Sequence, residues 1–125
     1  KELIVADDNK FLTKEYNKKI NLIREVFKNE ECIQNFSTEL LIPYLLKKPS
    51  CTKYFSSWLA SGYEIEMDYI KYIEKQKPNL ILYEASGWNV DGIDTKKRLK
   101  YVNKYILENY VEYYSYEGSK IFKIK

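Results

Sequence analysis

The run Asn79-Leu80-Ile81-Leu82-Tyr83-Glu84-Ala85 constrains this chain more than any other stretch. It is nearly continuous in apolar side chains and bounded by Pro78 and Ser86-Gly87. Such a run reads as a strand buried on both faces, which requires cover from two sides. The rest of the chain supplies that cover. Apolar residues at Leu12, Tyr16, Ile20, Ile23 and Phe27 recur at helical spacing, with Asn9 or Thr13 as cap. Residues 32–36 read as a short strand, and Ser37-Thr38-Glu39 opens a second helix that runs to Lys48. Pro43 inside that helix predicts a late start or a kink. Residues 51–55 read as a second short strand after Pro49.

Ser61-x-x-Glu64 has the pattern of a capping box, and Tyr63, Met67, Ile70 and Ile73 then share one helical face. A loop over residues 86–95 leads to a fourth helix carrying Leu99, Val102 and Ile106. Residues 111–116 and 119–124 close the chain as two strands across a Glu117-Gly118 turn. This alternation predicts an α/β domain: a three-layer, Rossmann-like or flavodoxin-like sheet, mostly parallel, ending in an antiparallel hairpin. At 125 residues it reads as a single domain with residues 1–9 as a lead-in. Lys1 is not a start methionine and no signal pattern follows it, which suggests a domain cut from a larger protein.

Composition removes many functions. There is no histidine, so a Ser-His-Asp or Cys-His nucleophile, a His-ligated zinc and an imidazole base are all excluded. Two cysteines cannot hold an iron–sulfur cluster. The four glycines stand singly, so no phosphate-cradling loop can be read, and no cofactor is expected. Net charge is +3, and 19 of the 21 cations are lysines scattered along the chain. Lys96-Lys97-Arg98 with Lys100 reads as a solvated helix turn, so no nucleic-acid partner is expected. No run approaches the ~20 apolar residues of a membrane span.

Doubly wound sheets bind ligands beyond the carboxyl ends of their strands. That rim would hold Asn35, Phe36 and Ser37, then Ser56, Ser57 and Trp58, then Glu84, Ser86, Gly87, Trp88 and Asn89. These residues could form a small polar pocket; the tryptophans equally read as plugs over helix ends. Glu64, Glu66 and Asp68 suit a helix first turn, Asp91-Gly92 a turn, and Asp94 a helix cap, with no spacing suited to calcium. No metal site and no catalytic residue is assigned. The tyrosines are spaced by helix and strand periods and read as core and rim.

Residues 36–55 (FSTELLIPYLLKKPSCTKYF), 75–85 (KQKPNLILYEA), 91–110 (DGIDTKKRLKYVNKYILENY) and the ending GSKIFKIK resemble a module at the C-terminus of polytopic membrane proteins. These are glycosyltransferases of the GT-C type, related to the protein mannosyltransferases, and similar bacterial membrane proteins. The resemblance implies an accessory lobe on the extracytoplasmic (periplasmic) face, tethered to the membrane region of its parent chain. A glycan or lipid-linked acceptor would be its further partner. Catalytic acids of such transferases lie in the membrane region, so none is carried over. The rival expectations are a stand-alone small-molecule binding domain using the strand rim, and a hydrolase or transferase using Ser56, Ser57 or Ser86.

Cys32 and Cys51 are expected to form a disulfide. Both open short strands separated by one crossover helix, and paired positions on neighbouring strands lie about 4.8 Å apart. An extracytoplasmic lobe also meets oxidising conditions.

Overall fold

A computed structural model describes residues 13–84 and 92–125; the expected lead-in at 1–9 lies outside them. In chain order the elements are α1 (Lys14–Val26), β1 (Gln34–Asn35), α2 (Leu41–Leu46), a single 3₁₀ turn (Ser57–Leu59), α3 (Tyr63–Gln76), β2 (Leu80–Glu84), α4 (Thr95–Arg98), α5 (Lys100–Asn109), β3 (Tyr110–Tyr116) and β4 (Ser119–Ile124). The four strands form one sheet in the order β1-β2-β4-β3. Side chains alternate across β2, as the two-residue strand period demands. Leu80 and Leu82, with Ile121 of β4, pack against Ile20, Ile23 and Phe27 of the α1 region and Ile42, Leu45 and Leu46 of α2. Ile81 and Tyr83, with Phe122 of β4, meet Tyr69 and Ile73 of α3 and Val102 and Ile106 of α5.

The sheet is mostly antiparallel, which corrects the expectation of a mostly parallel, Rossmann-like arrangement. Only β1 and β2 pair in parallel among the described strands, with Gln34 opposite Ile81 and Asn35 opposite Leu82. β4 runs antiparallel to both β2 and β3. One cause is that residues 51–55 do not become a strand. Ser50 makes a single parallel bridge to Ile33. Beyond it the Thr52 N–H donates to Ser50 Oγ (3.4 Å) and the Tyr54 N–H to Thr52 Oγ1 (3.2 Å). Hydroxyls thus take up the amides that a ladder would need.

The other cause is the position of β4. Its Ile121 and Phe122 bury on opposite faces, whereas β3 leaves Val111, Glu112 and Tyr113 exposed. The strand able to bury both faces sits beside β2, and the polar one takes the edge. The expected hairpin is present: Glu117 (φ 47°) and Gly118 (φ 80°) both adopt left-handed backbone, as a two-residue turn of type I′ requires.

Helix ends follow local chemistry with one exception. Thr13 Oγ1 accepts from the Tyr16 N–H (3.1 Å) at the start of α1. α2 starts late, at Leu41, so Pro43 falls in the first turn, where its missing N–H costs little. The Ser61-x-x-Glu64 capping box does not form: Gly62 is the N-cap, at φ 101°, a conformation suited to glycine. The expected fourth helix is broken at Leu99 into α4 and α5. Leucine cannot cap, and the buried Glu66 of α3 does so instead. Its Oε1 accepts from the N–H groups of Tyr101 (2.9 Å) and Val102 (3.3 Å). An acid that the sequence suggests for its own helix therefore serves the start of another.

Glu66→Ala should cost about 2–4 kcal/mol of unfolding free energy, because two buried N–H groups lose a charged acceptor. Glu66→Gln, which keeps an acceptor oxygen, should cost roughly half as much; denaturant midpoints measure both. Alkaline pH provides a second check. Burial pushes the hydroxyls of Tyr16 and Tyr83 up to about 12, and Tyr69 and Tyr110 are also raised by burial. Each folded-state value lies above its unfolded value, so the stabilisation is complete below the unfolded pKa of about 10 and is lost as pH rises from there through the folded values. Ultraviolet titration should show exposed tyrosines ionising first, and the buried set only as the chain unfolds.

Candidate functional site

At the carboxyl end of β1 two buried amides hold the surrounding loops. Gln34 Nε2 donates to the Tyr54 carbonyl and the Tyr69 hydroxyl, both at 2.9 Å. Asn35 Nδ2 donates to the carbonyls of Glu39 (2.7 Å) and Phe55 (3.4 Å), while its Oδ1 accepts from Ser37 Oγ (2.5 Å). The Ser37 carbonyl accepts from the Ser57 N–H (3.0 Å) and Ser56 Oγ (3.4 Å). Ser56 Oγ also caps the 3₁₀ turn through the Trp58 N–H (3.2 Å). Trp58 Nε1 reaches back to the Thr38 carbonyl (3.1 Å), and Arg98 Nη2 ties the Ser57 carbonyl (2.5 Å).

The fold thus gathers Ser56, Ser57 and Trp58 beside Asn35, Phe36 and Ser37, as the rim expectation requires. The serines are buried, and their bonds hold loops together. Ser57 Oγ and Arg98 Nε have no hydrogen-bond partner among the described residues. Glu84 lies between Lys96 (3.7 Å) and Lys120 (3.8 Å). The candidates Ser86, Gly87, Trp88 and Asn89, with Asp91, lie outside the described residues. Among the described residues no three His, Cys, Asp or Glu side chains gather as metal ligands would.

Two features escape the sequence reading. Asp68 accepts from the Tyr54 hydroxyl (2.6 Å) and from Lys53 Nζ (3.1 Å), and these two bonds hold its carboxyl below the usual range. The same ammonium sits over the rings of Tyr54 (5.4 Å) and Tyr72 (5.0 Å). The second feature is a groove of about 310 Å³ between α2 and the segment after Cys51. Its walls are Leu40, Pro43, Tyr44 and Phe55, and Asn35 lies in its lining. The sequence signal was available: α2, Leu-Ile-Pro-Tyr-Leu-Leu, has no charged residue, so a helix with one solvent face must expose apolar groups there.

Three substitutions separate these roles by their effect on unfolding free energy. Asn35→Ala should lose about 2–3 kcal/mol, since it leaves several buried groups unpaired. Ser56→Ala should lose about 1 kcal/mol through its cap. Ser57→Ala should stay within about 0.5 kcal/mol of the wild type or stabilise it, because its hydroxyl is buried without a partner among the described residues.

No family model matches the chain, and no curated protein is matched. Among solved structures it is similar to the C-terminal globular domain of an oligosaccharyltransferase from Archaeoglobus fulgidus. The two are 16% identical with a TM-score of 0.47, and the match covers 91% of this chain and 99% of the other.

Proposed function

We propose that this chain is an accessory domain on the extracytoplasmic, periplasmic side of a membrane protein whose parent transfers sugars from a lipid carrier. In this reading it braces the membrane region or presents an acceptor, and the chemistry takes place elsewhere in the parent. The observation that supports the reading most is the disulfide between Cys32 and Cys51, whose Cα atoms are 5.0 Å apart. It flanks the Ile33–Ser50 bridge and ties β1 to the segment that did not become a strand. Structural disulfides persist in oxidising compartments and are rare where glutathione keeps thiols reduced. The arrangement of the rim supports the same reading, because Ser56 and Asn35 fasten loops through their side chains and Ser57 through its backbone. The sequence resemblance to the terminal module of GT-C-type proteins supplies the class of parent.

In cells making the full-length protein, a membrane-impermeant maleimide should leave both cysteines unlabelled until a reductant is added, and label both afterwards. Labelling only after lysis would overturn the extracytoplasmic placement, and labelling of intact cells without reductant would overturn the disulfide that supports it. A full-length protein with no membrane spans before Lys1 would overturn the tether. Replacing both cysteines by serine should lower stability by roughly 3 kcal/mol, as opening a loop with sequence separation 19 implies.

A further inference from the structure

Asn35-Phe36-Ser37 is the one Asn-x-Ser/Thr triplet in the chain, the pattern at which oligosaccharides are joined to asparagine. Such a triplet ordinarily marks a surface loop. Here the fold puts it in the interior. Asn35 is 1% exposed, Phe36 is fully buried and Ser37 is 4% exposed. We infer that Asn35 is an N-glycan acceptor in the unfolded chain only, and that folding of this domain withdraws it from transfer.

The chemistry of the linkage carries the case. Transfer joins Asn35 Nδ2 to the anomeric carbon of a lipid-diphosphate-linked oligosaccharide. The bond from that carbon to the diphosphate oxygen breaks, the lipid diphosphate leaves, and the amide gives up one proton. The reaction therefore needs a free amide nitrogen. In the fold Nδ2 donates to the carbonyls of Glu39 (2.7 Å) and Phe55 (3.4 Å), which uses both of its hydrogens. The hydroxyl of the triplet is engaged as well. Ser37 Oγ donates to Asn35 Oδ1 (2.5 Å) and accepts from the Glu39 N–H (3.2 Å).

The backbone is equally held. Asn35 lies opposite Leu82 of β2, the Phe36 N–H donates to the Leu82 carbonyl (2.9 Å), and the Phe36 ring stacks on Tyr83. Asn35 does lie in the lining of the groove beside α2, but its nitrogen can turn outward only by releasing the loops at Glu39 and Phe55. A glycan on Nδ2 would take one of those two hydrogens and set a bulky polar group against the core, so one amide cannot serve both ends. Glu39, Phe55 and Leu82, the partners that bury the triplet, all follow it in the chain. The acceptor is open for as long as they are missing.

That the chain meets such a donor in the cell rests on the proposed extracytoplasmic reading. The test supplies the donor, so its failure strikes this inference and leaves that reading to the labelling experiment. The 125-residue chain, disulfide intact, is incubated with a solubilised oligosaccharyltransferase that accepts Asn-x-Ser and with its lipid-linked donor, and glycopeptides are counted by mass spectrometry. I81D/L82D, which sets a carboxylate in each core layer, supplies the unfolded chain, and near-ultraviolet circular dichroism verifies that state. It should take a glycan at Asn35 and lose that acceptance when S37A is added. The folded wild type should be modified at least about a hundredfold less, because Asn35 is reached only by opening of the sheet edge. E31T creates a triplet at the exposed Asn29, which should be glycosylated in the folded chain.

Comparable glycosylation of Asn35 in the folded wild type, or none there in the unfolded chain, would overturn the proposal. So would equal refusal of Asn29 in folded E31T, which would trace the protection to folding in general and not to the bonds of Asn35.

Discussion

Leu80 and Leu82 project to one side of β2 and Ile81 and Tyr83 to the other, and all four are buried, so this strand has no face to offer to water. That requirement places the other elements. α1 and α2 must collect over the leucines, and α3 and α5 over Ile81 and Tyr83. Along one edge β2 has only two residues of β1, so its longer partner must come from elsewhere in the chain. β4 meets the need because Ile121 and Phe122 extend both apolar layers in register, opposite Leu82 and Ile81. The aromatic layer continues across that pair, with Tyr83 stacked between Phe36 (centroids 5.6 Å apart) and Phe122 (4.2 Å).

β1 is an unusual strand to lie beside such a neighbour. Gln34 and Asn35 are almost completely buried, and an amide taken from water without partners is costly. Their amide nitrogens meet much of that cost by bonding loop carbonyls and the Tyr69 hydroxyl, while Gln34 Oε1 stays without a partner among the described residues. The apolar strand organises the helices, while the polar strand organises the connections. The groove beside α2 follows from the same division, since polar groups directed inward leave mainly carbon on the outside.

Much of this was legible in the residues. β2 was visible as an apolar run, the hairpin as Glu117-Gly118 between two alternating segments, α1 through its stripe from Tyr16 to Phe27, and the α4 cap as Asp94. What stayed hidden depended on contacts distant in sequence. Strand order was illegible because parallel and antiparallel neighbours of β2 demand the same apolar pattern. Residues 51–55 look like a strand by composition, but Ser50 and Thr52 withdraw its amides. Glu66 looks like an ordinary first-turn acid until α5 is brought to it. For the candidate site, the rim serines and Trp58 were correctly grouped, yet their burial could not be read from spacing. The Leu40–Phe55 groove needed only the observation that α2 has no polar face.

The place of β4 has a consequence for how the domain comes into being. It is the last of the described strands to be synthesised, and it stands between β2 and β3. While a growing chain still lacks residues 119–124, β2 holds only its short pairing with β1, and β3 has no neighbour in the sheet. Domains generally begin to organise from the amino-terminal end during synthesis. Here α1, α2 and α3 can gather early around an unfinished strand, but sheet closure waits for residues 119–124. A chain made in that order would therefore keep the longer edge of β2 unpaired until residues 119–124 had followed.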